Sequence, residues 1–283
     1  MSEENCSKEA CASCAQAGNC SKKQQDADQK LHERLSHIKR MIVVMSGKGG
    51  VGKSTVATNL AVAASLTGKR VGLLDVDLHG PSIPTMLGLE NESLVGDEDG
   101  IRPVSIGSLL VLSVGFILQN PDDPVIWRGP MKMGVIRQFL EDVNWGDLDL
   151  LVVDVPPGTG DEPLSICQLI PNLSGAVIVT TPQKVAAVDV RKSVTFCKQL
   201  QVPVLGVIEN MSGFACPHCG EVTPIYRTGG GKKLAEEMDV PFLGAIPIDP
   251  AIAEDCDAGK SFIEASANSP ASASFREIIE KIL

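Results

Sequence analysis

Along the chain, short apolar runs recur at Met41 to Met45, Val71 to Val76, Leu109 to Val114, Leu148 to Val155, Ala176 to Thr180, Val204 to Ile208 and Phe242 to Ile246. Each has the length of a strand. Several, such as Leu150-Leu151-Val152-Val153, are apolar on both faces, as parallel strands covered on two sides must be. Helix-length segments of mixed polarity separate them: Lys53 to Leu66, Met131 to Asp142, Glu162 to Ile170, Val185 to Leu200 and Gly230 to Met238. Strands alternating with helices require right-handed crossovers, so the pattern predicts an α/β fold with a doubly wound, mostly parallel sheet. No internal repeat interrupts it.

The periodic pattern begins near Met41, which divides the chain in three. Residues 1–24 lack apolar periodicity and read as a flexible Cys-rich N-terminal tail. Residues 25–40 are charge-rich and read as a linker or a short solvated helix. Residues 41–283 read as the globular domain. Near its end, Phe275, Ile278, Ile279 and Ile282 share helical spacing, the signature of a helix with one apolar face. The opposite face, with Arg276, Glu277, Glu280 and Lys281, is not net basic, which favours packing on the core over lying on a membrane.

Composition narrows the function. With 43% hydrophobic residues, the 283-residue chain can bury a sizeable core. Its net charge of -10 argues against a general nucleic-acid partner, which would need a basic face to displace phosphate counterions. No apolar run approaches the roughly 18 residues that would cross a bilayer, and the polar first thirty residues are unlike a signal peptide. The reading is a cytoplasmic protein with no membrane and no nucleic acid among its partners. In a reducing compartment, nine cysteines point to metal or redox thiolates rather than disulfides.

The first strand runs into Gly47-Lys48-Gly49-Gly50-Val51-Gly52-Lys53-Ser54-Thr55, and a helix follows. This is the phosphate-binding pattern G-x-x-x-x-G-K-[ST] in its required strand-to-helix context. The glycines let backbone N–H groups turn toward phosphate oxygens, and the helix N-terminus adds partial positive charge. Lys53 is expected to reach the β- and γ-phosphates, and the Ser54 hydroxyl to hold Mg²⁺. Asp154 ends the strand Leu148 to Val153 and takes the second magnesium role, through water. Asp75-Val76-Asp77 follows another strand. In a doubly wound sheet these strand ends converge on one nucleotide.

Lys48, inside the loop, is a charge that most phosphate loops lack. With it the segment resembles the deviant loop of the MinD/ParA/nitrogenase-iron-protein class. By that resemblance, Lys48 acts in trans on the nucleotide of a partner subunit in a homodimer, and Asp77 orients or deprotonates the attacking water. Residues Pro156 to Asp161 form the second switch. Asn210, in Glu209-Asn210-Met211-Ser212, contacts adenine, so the nucleotide is ATP.

Cys216 and Cys219 stand at C-x-x-C spacing, two thiolates that supply half of a four-sulfur shell. A twofold dimer would supply the rest and permit a bridging 4Fe-4S cluster. Zinc on the same thiolates and a thioredoxin-like redox pair are the competing readings. In the tail, Cys6, Cys11, Cys14 and Cys20 follow the spacing C-x4-C-x2-C-x5-C and could close around a second cluster. Cys167, Cys197 and Cys256 are isolated and read as small apolar residues.

Together, the deviant loop, Asp75-Val-Asp77-Leu-His-Gly-Pro-Ser, Asp154-Val-Pro-Pro-Gly-Thr-Gly-Asp161, Asn210-Met-Ser and Cys216-Pro-His-Cys219 resemble the Mrp/ApbC/Nbp35 family of iron-sulfur cluster carrier P-loop ATPases, over about residues 38 to 283. That resemblance implies an ATP-hydrolysing homodimer that bridges a 4Fe-4S cluster between Cys216 and Cys219 of two subunits and passes it to iron-sulfur apoproteins. The tail resembles the ferredoxin-like motif of one branch, except that Cys6 lies much closer to Cys11 than that branch's first cysteine. A positioning ATPase of the MinD/ParA type, acting on membrane or DNA, is the alternative. An electron donor like the nitrogenase iron protein fits less well, since that group bridges its cluster with separated single cysteines.

Overall fold

The computed structural model describes residues 21–78, 80–118, 127, 129–216, 218, 219 and 221–283. All seven expected strands form: β1 (Met41–Ser46), β2 (Val71–Asp75), β6 (Leu109–Ser113), β7 (Leu150–Asp154), β8 (Gly175–Thr180), β9 (Val204–Glu209) and β12 (Phe242–Ala245). Short strands lie between them: β3 (Val95–Asp97), β4 (Gly100–Arg102), β5 (Val104–Ile106), β10 (Phe214–Ala215) and β11 (Val222–Thr223). The main sheet has the order β12-β9-β8-β1-β7-β2-β6-β5, and β5 alone pairs antiparallel, at the edge.

Strand alternation divides the core into two layers. Ile42 and Val44 of β1 and Leu150 and Val152 of β7 face one layer, whereas Met41, Val43, Met45, Leu151 and Val153 face the other. This is how one run can be apolar at every position and still obey the two-residue period of a strand.

The five expected helices are present within one or two residues of their expected ends: α2 (Lys53–Leu66), α4 (Gly129–Glu141), α5 (Asp161–Leu169), α6 (Lys184–Gln199) and α7 (Gly230–Met238). Helix α2 is buried on most sides, so its small Ala57, Ala61, Ala63 and Ala64 let it sit close to the sheet and to a second helix layer. That layer contains α8 (Pro250–Asp257), α9 (Phe262–Ala265) and α10 (Pro270–Ile282), with α3 (Ile83–Met86) beside it. Phe275, Ile278, Ile279 and Ile282 of α10 are all buried in the core, and the Phe275 ring meets Phe262 edge-on at 6.4 Å. The terminal apolar face is therefore covered by α2 and the sheet rather than offered to a membrane. None of the described helices is long and apolar enough to cross one.

Where the charge pattern suggests a linker or solvated helix, the chain forms α1 (Ser21–Ser36), with Leu31, Leu35 and, just beyond it, Ile38 buried in the second layer. Their spacing of four and three residues puts them on one helical face. Lys30 also pairs with Asp142 at 2.5 Å, and Lys39 with Asp149 at 2.7 Å. The charges crowd the outer face, and three apolar residues suffice to dock the inner one.

Candidate nucleotide and thiolate site

β1 is buried along its whole length and delivers the chain at Ser46 to the carboxyl edge of the sheet. There the Gly47–Gly52 turn reverses into α2. Gly52 precedes the helix with φ 78°, and a Cβ at that position would stand 2.3 Å from the Asn210 side-chain nitrogen. Both the left-handed backbone and the close approach require glycine. The loop encloses a cavity of about 230 Å³, lined by Lys48, Gly50, Lys53, Ser54, Asp77 and Pro157 among others. The structure thus brings the expected loop residues Gly47, Lys48, Gly49, Gly50, Val51, Gly52, Lys53, Ser54 and Thr55 to the amino end of one helix.

Lys53 is 6% exposed, and its ammonium lies 2.5 Å from Asp154 Oδ1, 3.2 Å from Ser54 Oγ and 3.7 Å from Asp77 Oδ2. The parallel pairing of β2 and β7 explains the crowding. Asp75 and Asp154 are register partners at adjacent strand ends, and Asp77 follows two residues on. Burial pushes the Asp154 carboxyl up, and the Lys53 ammonium only partly opposes this. The other Asp154 oxygen, Oδ2, is buried with no hydrogen-bond partner. An orphaned carboxylate oxygen beside the Ser54 hydroxyl forms a hard oxygen donor set, which fits Mg²⁺.

Sequence reasoning names Asp75 within the Asp75-Val76-Asp77 run but gives it no role of its own. It is completely buried; burial first, and the neighbouring Asp154 second, push its carboxyl well above the usual range. Asp75 accepts from the Ser113 hydroxyl at 2.8 Å and from the Asp77 N–H at 3.1 Å, so it holds the Asp77 backbone in place. The available signal was an ionisable residue ending an otherwise apolar strand. The Pro156 to Asp161 segment is tied to the same centre, since the Gly158 N–H donates to the Ser46 carbonyl at 2.7 Å.

Next to the phosphate cavity, and sharing Gly52, Thr55 and Ser82 with it, lies a larger one of about 840 Å³, walled by Met86, Met211, Tyr226, Ile248 and Ile252 among others. Its size and apolar walls suit a nucleoside. Asn210 is part of this wall, but its side-chain nitrogen donates to the Val51 carbonyl at 2.9 Å, which fastens the cavity to the phosphate loop.

Cys216 and Cys219 lie between β10 and β11, which pair as a small hairpin closed by the Cys216 N–H donating to the Glu221 carbonyl at 2.9 Å. Cys216 is partly exposed and Cys219 exposed. The backbone N–H groups of Cys219 and His218 point at the Cys216 sulfur and hold its thiol below the ordinary value. No cluster of three or more metal-binding side chains occurs among the described residues, so the hairpin offers two thiolates and an incomplete shell. His218 is exposed and joins no such cluster. Cys6, Cys11, Cys14 and Cys20 lie outside the described residues.

The other thiols are of a different kind. Burial pushes Cys167 up to about 11, Cys197 to about 12 and Cys256 to about 11, as expected of apolar fillers. Because the thiolate is the nucleophile, iodoacetamide labelling of Cys216 should reach half its limiting rate below the ordinary thiol value of 9.0. Cys197 should stay unlabelled in the folded protein over the same range, and peptide mapping checks both.

The iron-transfer P-loop NTPase model of the ParA/NUBPL type matches residues 37–283. An iron-sulfur cluster carrier protein of Methanocaldococcus jannaschii is 50% identical over 279 residues, covering 96% of this chain and 95% of that protein. A cytosolic Fe-S cluster assembly factor NUBP2 homolog of Nematostella vectensis is 51% identical, over 88% of this chain and 94% of that one. Among solved structures, a nucleotide-binding protein of Archaeoglobus fulgidus in complex with ADP, in which Co was found, is 41% identical with a TM-score of 0.76, over 87% of this chain and 95% of that one. The cell division ATPase MinD of Pyrococcus furiosus aligns at 26% identity and TM-score 0.62, over 86% and 98%. The chain thus shares its fold with MinD but far more sequence with the iron carriers, and it belongs to the NUBPL iron-transfer family of P-loop NTPases.

Proposed function

We propose that this protein is an ATP-hydrolysing carrier of 4Fe-4S clusters, working as a homodimer in the cytosol and delivering the cluster to iron-sulfur apoproteins. One observation carries the reading. A two-thiolate hairpin leaves the sheet a few residues after Asn210, which is fastened to the phosphate loop, and two thiolates are half of what a cluster needs. A second copy about a twofold axis supplies the same pair again. The cluster is the cargo, and Cys216 and Cys219 of each subunit hold it.

In hydrolysis, water attacks the γ-phosphorus, the bond to the bridging oxygen breaks, and ADP and phosphate leave. Asp77 orients that water and accepts its proton, and Lys53 neutralises charge on the transferred phosphoryl group. Ser54, and Asp154 through water, would hold Mg²⁺, which would supply further charge neutralisation. Lys48 reaches across to the partner's nucleotide, and Asn210 contributes to the adenine pocket. Closing and relaxing the dimer then couples nucleotide state to cluster release. Cys6, Cys11, Cys14 and Cys20 hold a second cluster in the tail.

Anaerobic reconstitution of a chain lacking residues 1–24 tests the central site. It should take up about four iron and four sulfide per dimer, with the visible absorption of a 4Fe-4S centre. Cys216→Ala should lose that iron and keep nucleotide binding. Uptake of zinc alone by the wild-type sequence would remove the cluster reading.

A further inference from the structure

Residues 213–228 leave the sheet after β9 and return at α7, carrying the cysteine hairpin between them. One carboxylate holds both feet of this excursion. Glu209, the last residue of β9, is fully buried. Its Oε1 accepts from the Ser212 hydroxyl at 2.5 Å and from the Gly229 N–H at 2.9 Å, and its Oε2 accepts from the Gly231 N–H. No cation pairs with it among the described residues; three neutral donors and the amino end of α7 balance its charge. Withdrawing any one donor from a buried carboxylate is costly, so the two feet are held to a common position.

Each foot is also joined to the nucleotide side. On the way in, Asn210 bonds the Val51 carbonyl of the phosphate loop, the Ser212 N–H donates to Ile246 at 2.8 Å, and the Gly213 carbonyl accepts from Ile248 at 2.7 Å. On the way out, Tyr226, the chain's one tyrosine, lines the 840 Å³ cavity with Met211 and Ile248. A base entering that cavity meets residues from both ends of the segment that carries Cys216.

We infer that Glu209 is a positioning residue through which nucleotide occupancy sets the reactivity of Cys216, with residues 213–228 responding as one unit hinged on its carboxylate. The inference takes the nucleotide placement from the reading above but does not require a cluster. Its test is alkylation of Cys216 in the reduced, metal-free full chain, followed by peptide mass mapping, with and without ATP and Mg²⁺. In the wild type, nucleotide should change the rate by about fivefold. Glu209→Gln turns an amide NH₂ toward backbone N–H donors and should shrink the ratio below about twofold, while fluorescent ADP still binds. Ser212→Ala releases only the entering foot, leaves α7 capped, and should give an intermediate ratio; it carries the test if Glu209→Gln does not fold. A purely structural role would lower the melting temperature and leave the ratio at its wild-type value. That result, or a wild type indifferent to nucleotide, overturns the inference. Iron content on the same preparations is read separately, so a failure of the carrier reading remains distinguishable.

Discussion

Lys53→Ala is expected to reduce ATP hydrolysis by about a thousandfold or more, the scale of losing a preorganised charge at a phosphoryl-transfer centre. Lys53 is the buried cation lining the phosphate cavity, and its ammonium lies 2.5 Å from Asp154 and 3.7 Å from Asp77. Removing it affects folding too. Breaking a buried ion pair from one side costs about 3–5 kcal/mol when the remaining charge stays ionised. Here burial already pushes the Asp154 carboxyl upward, so it can take up a proton and lessen that cost. A carboxyl raised further in the folded state is protonated there while the unfolded chain is ionised, so the variant should lose stability as pH rises from the ordinary carboxylate range toward the raised value. Phosphate release measures the first effect, and urea melts at pH 5 and pH 8 measure the second. Hydrolysis within tenfold of wild type would remove Lys53 from the catalytic set. Asp154→Asn, which removes the charge and keeps the shape, should stop hydrolysis and lack Asp154's share of the pH-dependent loss of stability, while the share from buried Asp75 remains.

The phosphate loop was legible because its chemistry is local: nine consecutive residues carry the glycines, the lysine and the hydroxyl, and the flanking strand and helix are adjacent in sequence. The same holds for the C-x-x-C hairpin. Residues whose role depends on another strand were not. Asp75 acquires its environment from Asp154, a register partner far along the chain, and from Ser113 on the opposite neighbour. Glu209 reads as one more polar residue after a strand until Gly229 and Gly231 are brought against it. The buried face of α1 was hidden for a different reason, since Leu31 and Leu35 sit among charges that pair outward, Asp28 with Arg137 of α4 and Lys30 with Asp142 just beyond it. Strand content was clear wherever a run is apolar on both faces. The edge strand β5, exposed and three residues long, offers no such run.

Lys48→Ala and Asp77→Ala should each lower hydrolysis by about a hundredfold alone, and an equimolar mixture should recover about a quarter of wild-type activity. Lys48 lies on the wall of the phosphate cavity, partly exposed, with no carboxylate partner among the described residues. Lys53 already occupies the floor, so Lys48 is spare within its own subunit. If it acts on the partner's nucleotide, a mixed dimer contains one site with Asp77 from one chain and Lys48 from the other, which is complete, and one site lacking both. Half of randomly formed dimers are mixed and each has one working site, which gives the quarter. If Lys48 served its own nucleotide, every site in the mixture would lack one residue and nothing would be recovered. The same geometry bears on the cysteines. If Lys48 crosses a twofold interface to the partner's nucleotide, ATP would draw the two subunits together, and under the carrier reading that contact would also bring the two hairpins into one four-thiolate shell.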